Sequence, residues 1–267
     1  MYKAVFIDMD GTLLRKDHTV SPATKTAIKK LTDQGILVVP ISARPLHGML
    51  PITNSLVPET TPIVSLNGSY IFHNNEIIYQ INVALPQTTH VHQLIDGKAL
   101  SGMYYSQMNW YAQTATEAIS KEQRITPVPI IVQPFNVTLA NWEQQQSGPN
   151  KILIAGDSKL ILQIEKELLQ QFTGELNIFK SQPRYLELMH LQASKTTAIQ
   201  FLMKKYKLQQ HEIVAIGDNY NDKGMIEFAG IGVAMGNAPD EIKEVADFVT
   251  DNNNNDGVAK AIQHFFN

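Results

Sequence analysis

Cysteine is absent from the 267 residues, so no disulfide, thiolate nucleophile or cysteine-bound metal can enter the chemistry. Strong charge is missing too. A net charge of -3 leaves no basic footprint, and nucleic acid is not an expected partner. No apolar run approaches the ~20 residues that a membrane-spanning helix requires, so no membrane association is expected. The chain enters a strand by Ala4, which leaves no room for a signal peptide and makes the cytoplasm the expected location. The eight histidines show no metal-ligand spacing, and His90 and His92, two apart on a helix, cannot share a face. What remains is an ordinary globular composition, 43% hydrophobic and 18% charged, in a chain long enough for one large domain or two modest ones.

The most informative stretch is Lys3 to Leu14. Ala4 to Ile7 is a short apolar run that reads as a buried parallel strand, and it stops at Asp8 and Asp10. In an open α/β sheet, ligands sit beyond the C-terminal strand ends, where both carboxylates would project. Two like charges there are costly unless a cation or a proton-transfer task compensates. Gly11 permits a tight turn, and Thr12 can bond local backbone or a ligand oxygen.

Downstream, Ser21-Pro22 opens a helix that Gly35 ends, and Ile36–Ile41 is a second buried strand finishing at Ser42-Ala43-Arg44. This β-α-β order implies a parallel pair. Residues 62–66 form a third strand, ending at Asn67-Gly68, and a hairpin is expected at Asn74-Asn75. From Val83 the pattern breaks into short mixed elements punctuated by Pro86, Gly97, Gly102 and Thr126-Pro127-Val128-Pro129. Residues 83–184 therefore read as an α+β domain inserted into a first domain made of 1–82 and 185–267. Strands at Tyr185–Met189 and Glu212–Ile216, with a helix at Lys195–Tyr206 between them, resume the α/β alternation. The aromatic group Tyr104, Tyr105, Trp110 and Tyr111 reads as core of the insert.

A second strand ends in acids at Gly217-Asp218-Asn219-Tyr220-Asn221-Asp222. Asp218 and Asp222 can face one site if Asp222 opens the next helix. With Asp8 and Asp10 they make an oxygen-rich set that suits Mg²⁺. Gly156-Asp157 has the same strand-Gly-Asp shape without the second acid, and helix capping is sufficient for it. Lys195 follows the natural N-cap Ser194, a position where the helix dipole disfavours a cation unless an anion shares the site. Ser42 can hold a phosphate oxygen, while Arg44 is open between ion pairing and ligand binding. The Asn252–Asn255 run reads as a loop.

These segments resemble the four motifs of the haloacid dehalogenase-like (HAD) hydrolases. Asp8-Met9-Asp10-Gly11-Thr12 is similar to the first, Ser42 to the second, Lys195 to the third and Gly217-Asp218 through Asp222 to the fourth. Asn67-Gly68, Val233-Ala234-Met235-Gly236-Asn237-Ala238 and Asp256-Gly257-Val258-Ala259 resemble the Cof-type branch. Two positions depart from that pattern: Ala43 stands where Gly is common, and Thr196 follows Lys195 in place of Gly. The resemblance implies a doubly wound, mostly parallel Rossmann-like sheet with an inserted α+β cap. It also implies a phosphatase of small phosphorylated metabolites: sugar phosphates, nucleotide monophosphates or cofactor monophosphates. Asp8 would be the nucleophile and Asp10 the general acid and base. Mg²⁺ would sit on Asp8, Asp218 and the Asp10 carbonyl, with Asp222 in support. Ser42, Lys195 and Asn221 would hold phosphate oxygens, and Arg44 and Asn67 would contact substrate. A phosphosugar mutase uses the same nucleophile, and a silent binding protein would lack one of these groups.

Overall fold

The computed structural model describes residues 1–125 and 129–266; Thr126, Pro127 and Val128 of the expected chain break lie outside the described residues. Its strands are β1 (Ala4–Asp8), β2 (Leu37–Ile41), β3 (Ile63–Ser65), β4 (Tyr70–His73), β5 (Glu76–Gln80), β6 (Leu100–Ser106) and β7 (Asn109–Ala112), followed by β8 (Ile130–Val132), β9 (Lys151–Gly156), β10 (Leu176–Gln182), β11 (Tyr185–His190), β12 (Ile213–Gly217), β13 (Ile231–Ala234) and β14 (Phe248–Val249). They form an eight-stranded sheet, β14-β13-β12-β1-β2-β3-β4-β5, and a six-stranded sheet, β10-β11-β9-β6-β7-β8. The chain separates into two compact units: Met1–Arg44, Met49–Ile78 and Ser194–Asn267 in one, Pro45–Gly48 and Tyr79–Ala193 in the other.

The first unit is the doubly wound α/β layer. β14 through β3 run parallel, and β4 turns back antiparallel on β3. β1 is buried along its whole length, which explains a run of apolar residues without alternation. Ser21 accepts from the Thr24 amide to cap the helix Pro22–Asp33, whose buried stripe includes Ala27, Ile28 and Leu31. Asn74 and Asn75 both take the left-handed conformation, at φ 52° and 61°, in the tight turn between β4 and β5. The chain winds from β1 outward to β3, and later from β12 outward to β14. The strand order therefore reverses between β1 and β12, the crevice where such sheets bind ligands.

The second unit is α+β. One face of its sheet buries Tyr104, Ile152, Ile154, Leu186 and Leu188 in one cluster with Val91 and Ile95, Phe135 and Trp142, and Ile161, Ile164 and Leu168 from three helices. The predicted aromatic group is core, but it divides between sheet faces: Tyr105 stacks on its cross-strand neighbour Trp110 at 5.5 Å, while Tyr104 turns to the helices. Asp157 caps the helix Ser158–Gln171 through a 2.9 Å bond from the Lys159 amide.

The expected return to the first domain at residue 185 is too early. β11 pairs with β10 as a hairpin and with β9 on its other side, so it belongs to the second sheet, and the first unit resumes at Ser194. A strand buried from Tyr185 to Met189 has the same apolar signature in either sheet, and only its pairing partners decide.

Candidate active site

Asp8 closes β1 and Asp218 directly follows β12, so the two central strands deliver their acids to the reversal crevice. Thr12, in the turn after β1, donates its hydroxyl to Asp218 Oδ1 at 2.8 Å. Gly11 has φ +83°, and a Cβ there would lie 2.3 Å from Asp218 Oδ2, so only glycine lets this turn pass the acid.

Asp222 is fully buried and opens the helix Lys223–Phe228 from its N-cap position as expected, but its side chain bonds none of that helix's amides. Its Oδ2 accepts backwards from the amides of Asp218 and Asn219, at 2.9 and 3.0 Å. Asn219 caps the turn Tyr220–Asp222, and the helix Lys223–Phe228 follows.

Lys195 is the first residue of the helix Lys195–Tyr206, capped by Ser194 through the Thr197 amide. Its side chain is 1% exposed and its ammonium lies 2.5 Å from Asp8 Oδ1 and 2.5 Å from Asp222 Oδ1. Burial disfavours that charge, but Asp222 and Asp8 outweigh it and hold the ammonium above the usual lysine range. Burial also pushes the Asp8 carboxyl well up, Asp222 adds to the shift, and Lys195 opposes it. Asp218 is raised to about 6, chiefly by burial, with the Thr12 hydrogen bond acting against it.

Carboxylate oxygens of Asp8, Asp218 and Asp222 lie within 4.8 Å of one another. Three acids against one lysine leave a net deficit of positive charge in a buried place. The donors are all hard oxygens. This set fits a dication such as Mg²⁺, with Asp8 and Asp218 as the side chains that would hold it.

The Asp10 carboxylate is outside this group. It is forked by Arg44, whose Nε donates to Oδ2 at 2.7 Å and whose terminal nitrogen lies 2.5 Å from Oδ1. Ser42 is buried and accepts from the Arg44 amide at 3.1 Å. Asn221 donates to Asn67 Oδ1 at 3.0 Å. Asn67 and Gly68 do more than turn the chain. Leu66 and Asn67 are both left-handed, their amides bond the Arg44 and Ser42 carbonyls, and a Cβ on Gly68 would sit 2.1 Å from the Ser194 carbonyl. The loop is thereby packed against the start of the Lys195 helix.

A family model described as haloacid dehalogenase-like hydrolase matches residues 5–262. The chain belongs to that family. Among its HAD relatives, a Haemophilus influenzae protein with a provisional phosphatase name is 38% identical, covering 100% of this chain and 99% of its own. The 5-amino-6-(5-phospho-D-ribitylamino)uracil phosphatase YcsE of Bacillus subtilis is 32% identical, covering 98% and 95%. A crystal structure of a haloacid dehalogenase-like hydrolase from Bacteroides thetaiotaomicron superposes with a TM-score of 0.90 at 30% identity, covering both chains completely.

Within this HAD chain, sequence reasoning missed one amide. Asn237 accepts from the Asn253 amide at 3.0 Å, which fixes its orientation and turns its NH₂ to the Gly11 carbonyl, 2.9 Å, and Asp218 Oδ2, 3.3 Å. Asn253 in turn bonds the Leu14 carbonyl, and Asn254 the Lys16 amide. The asparagine run is a staple for the turn after β1, not filler. The available signal was Gly236-Asn237 one residue beyond the end of β13, the buried strand that neighbours β12.

Proposed function

We propose that the chain is a Mg²⁺-dependent phosphatase of small phosphorylated metabolites, working through an aspartyl-phosphate on Asp8. The observation that carries this reading is the Asp8–Lys195–Asp222 arrangement beside Asp218 at the strand-order reversal. Asp8 is a buried carboxylate oriented by a lysine that opposes its protonation, which suits a nucleophile that must be held still. Its oxygen would attack phosphorus, and the ester oxygen would leave with a proton from Asp10. Asp10 would then accept a proton from the water that hydrolyses the acyl phosphate. Lys195, Ser42 and the Asn221 amide would bond the phosphoryl oxygens as charge spreads over them. Bound Mg²⁺ would offset the repulsion between the carboxylate and a phosphate dianion. Asp8, Asp218 and the Asp10 main-chain carbonyl would hold it, with Asp222 anchoring the Asp218 backbone.

A small metabolite as substrate is supported by the B. subtilis relative, whose name gives a phosphorylated ribityl compound as its substrate. The test is phosphate release from a panel of sugar, polyol and nucleotide monophosphates, with and without Mg²⁺. Metal-dependent release that disappears in Asp8→Asn supports the reading. Release that survives Asp8→Asn removes the nucleophile, and no release, with phosphate passing instead to a sugar hydroxyl once a bisphosphorylated sugar is added, points to a mutase.

A further inference from the structure

Three consecutive residues after β3, Leu66, Asn67 and Gly68, hold positive φ, at 49°, 53° and 89°. Left-handed backbone is unfavourable for a leucine, and Leu66 is fully buried, so the turn persists only because its surroundings over-determine it. The Leu66 and Asn67 amides donate to the Arg44 and Ser42 carbonyls at 3.1 and 2.9 Å. The Ser65 hydroxyl also donates to the Arg44 carbonyl, at 2.8 Å, and the Ser69 hydroxyl to the Leu66 carbonyl, at 2.8 Å. Gly68 lies directly against the Ser194 carbonyl, at the start of the Lys195 helix. The Asn67 backbone is thus fixed to Ser42 on one side and beside Lys195 on the other. Its side chain, 7% exposed, accepts one N–H of the Asn221 amide at 3.0 Å. Asn221 is exposed, on the short turn Tyr220–Asp222, and this is the one bond its side chain makes among the described residues. A solvent-facing asparagine otherwise exchanges between rotamers. One N–H donated to a fixed, buried acceptor selects one of them and leaves the second N–H of the same amide to donate elsewhere.

We propose that Asn67 is a positioning residue that acts through Asn221: it holds one N–H of that amide so that the other is aimed at a phosphoryl oxygen. The inference rests on the phosphatase reading, and it replaces the substrate contact expected for Asn67 from sequence. A donor already aimed where charge develops needs no reorganisation during the reaction, and the rigid turn is what supplies that aim. The left-handed backbone alone does not call for asparagine, because glycine adopts it at least as readily. Asn67→Gly is therefore the diagnostic change: it keeps the turn and removes only the acceptor.

The test compares wild type, Asn67→Gly, Asn221→Ala and the double variant. Hydrolysis of p-nitrophenyl phosphate and calorimetric titration of orthovanadate are measured for each, both with Mg²⁺. Asn67→Gly should lower kcat and vanadate affinity about tenfold, a fraction of the ~100-fold that loss of a whole transition-state donor costs, with KM kept within about twofold. In the Asn221→Ala background the same change should do no more than about twofold, because the group it acts through is gone. Equal losses in both backgrounds would mean that Asn67 holds the turn or the Lys195 helix and not the amide, and would overturn the proposal. So would a raised KM with kcat kept, the mark of a direct substrate contact, and so would no effect in either background. Thermal unfolding should find Asn67→Gly folded at the assay temperature; its unfolding there would mark a purely structural role and count against the proposal equally. A wild type that neither hydrolyses p-nitrophenyl phosphate nor binds vanadate would instead overturn the phosphatase reading itself.

Discussion

Replacing Lys195 by methionine, which keeps the length and removes the charge, leaves Asp8 and Asp222 without their shared cation. Their side chains are 7% and 0% exposed, so water cannot stand in for it. Removing one member of a buried ion pair costs about 3–5 kcal/mol, because the remaining charge is stranded. Asp222 retains the Asp218 and Asn219 amides on Oδ2, so the loss falls mainly on Asp8. Asp8 is already pushed up by burial and can relieve part of the penalty by taking a proton. The lower end of the range, about 3 kcal/mol near neutral pH, is therefore expected, shrinking as the solution is acidified. Trp110 and Trp142 both lie in the second unit, so the assay is urea unfolding followed by far-UV circular dichroism. Added Mg²⁺ should stabilise the variant more than the wild type, since it brings the missing positive charge. A loss below about 1 kcal/mol, the range of exposed pairs, would refute the buried triad.

The remaining predictions concern the acids and their supports. Asp218, raised from 3.8 to about 6, holds a proton in the folded state where the unfolded chain has released it. The metal-free protein should thus lose stability as pH rises through that interval, and Mg²⁺ affinity should weaken as pH falls through it; a flat thermal-shift titration of both would contradict this. Asn237→Ala removes the amide that steadies Asp218 Oδ2 and the Gly11 carbonyl, and should weaken Mg²⁺ binding about tenfold in calorimetry with the fold retained. Asp157→Ala loses only a helix cap, so about 1 kcal/mol of stability should go while phosphate release stays unchanged.

The acids were legible in the sequence because they end buried apolar strands, a pattern that puts charge at the one edge of the sheet where it is useful. Lys195 was legible as an anomaly: a cation just after an N-cap, explained by Asp8 and Asp222 once the chain is folded. What was hidden depends on contacts between residues far apart in sequence. Thr12 and Asn237 both bond Asp218, across 206 and 19 positions. Arg44 meets Asp10 across 34, and neither residue type dictates its partner. The sheet membership of Tyr185–His190 was hidden for the same reason, since burial gives a strand its composition but not its neighbours.

The central claim is covalent: phosphate passes through the Asp8 side chain. Borohydride added during turnover of a hydrolysed phosphoester with Mg²⁺ reduces an acyl phosphate to an alcohol and frees phosphate. Peptide mass spectrometry should then find homoserine at position 8, dependent on substrate and metal, and none in Asp8→Asn. Steady hydrolysis with an unmodified Asp8 peptide would contradict the account and place the chemistry on direct attack by water.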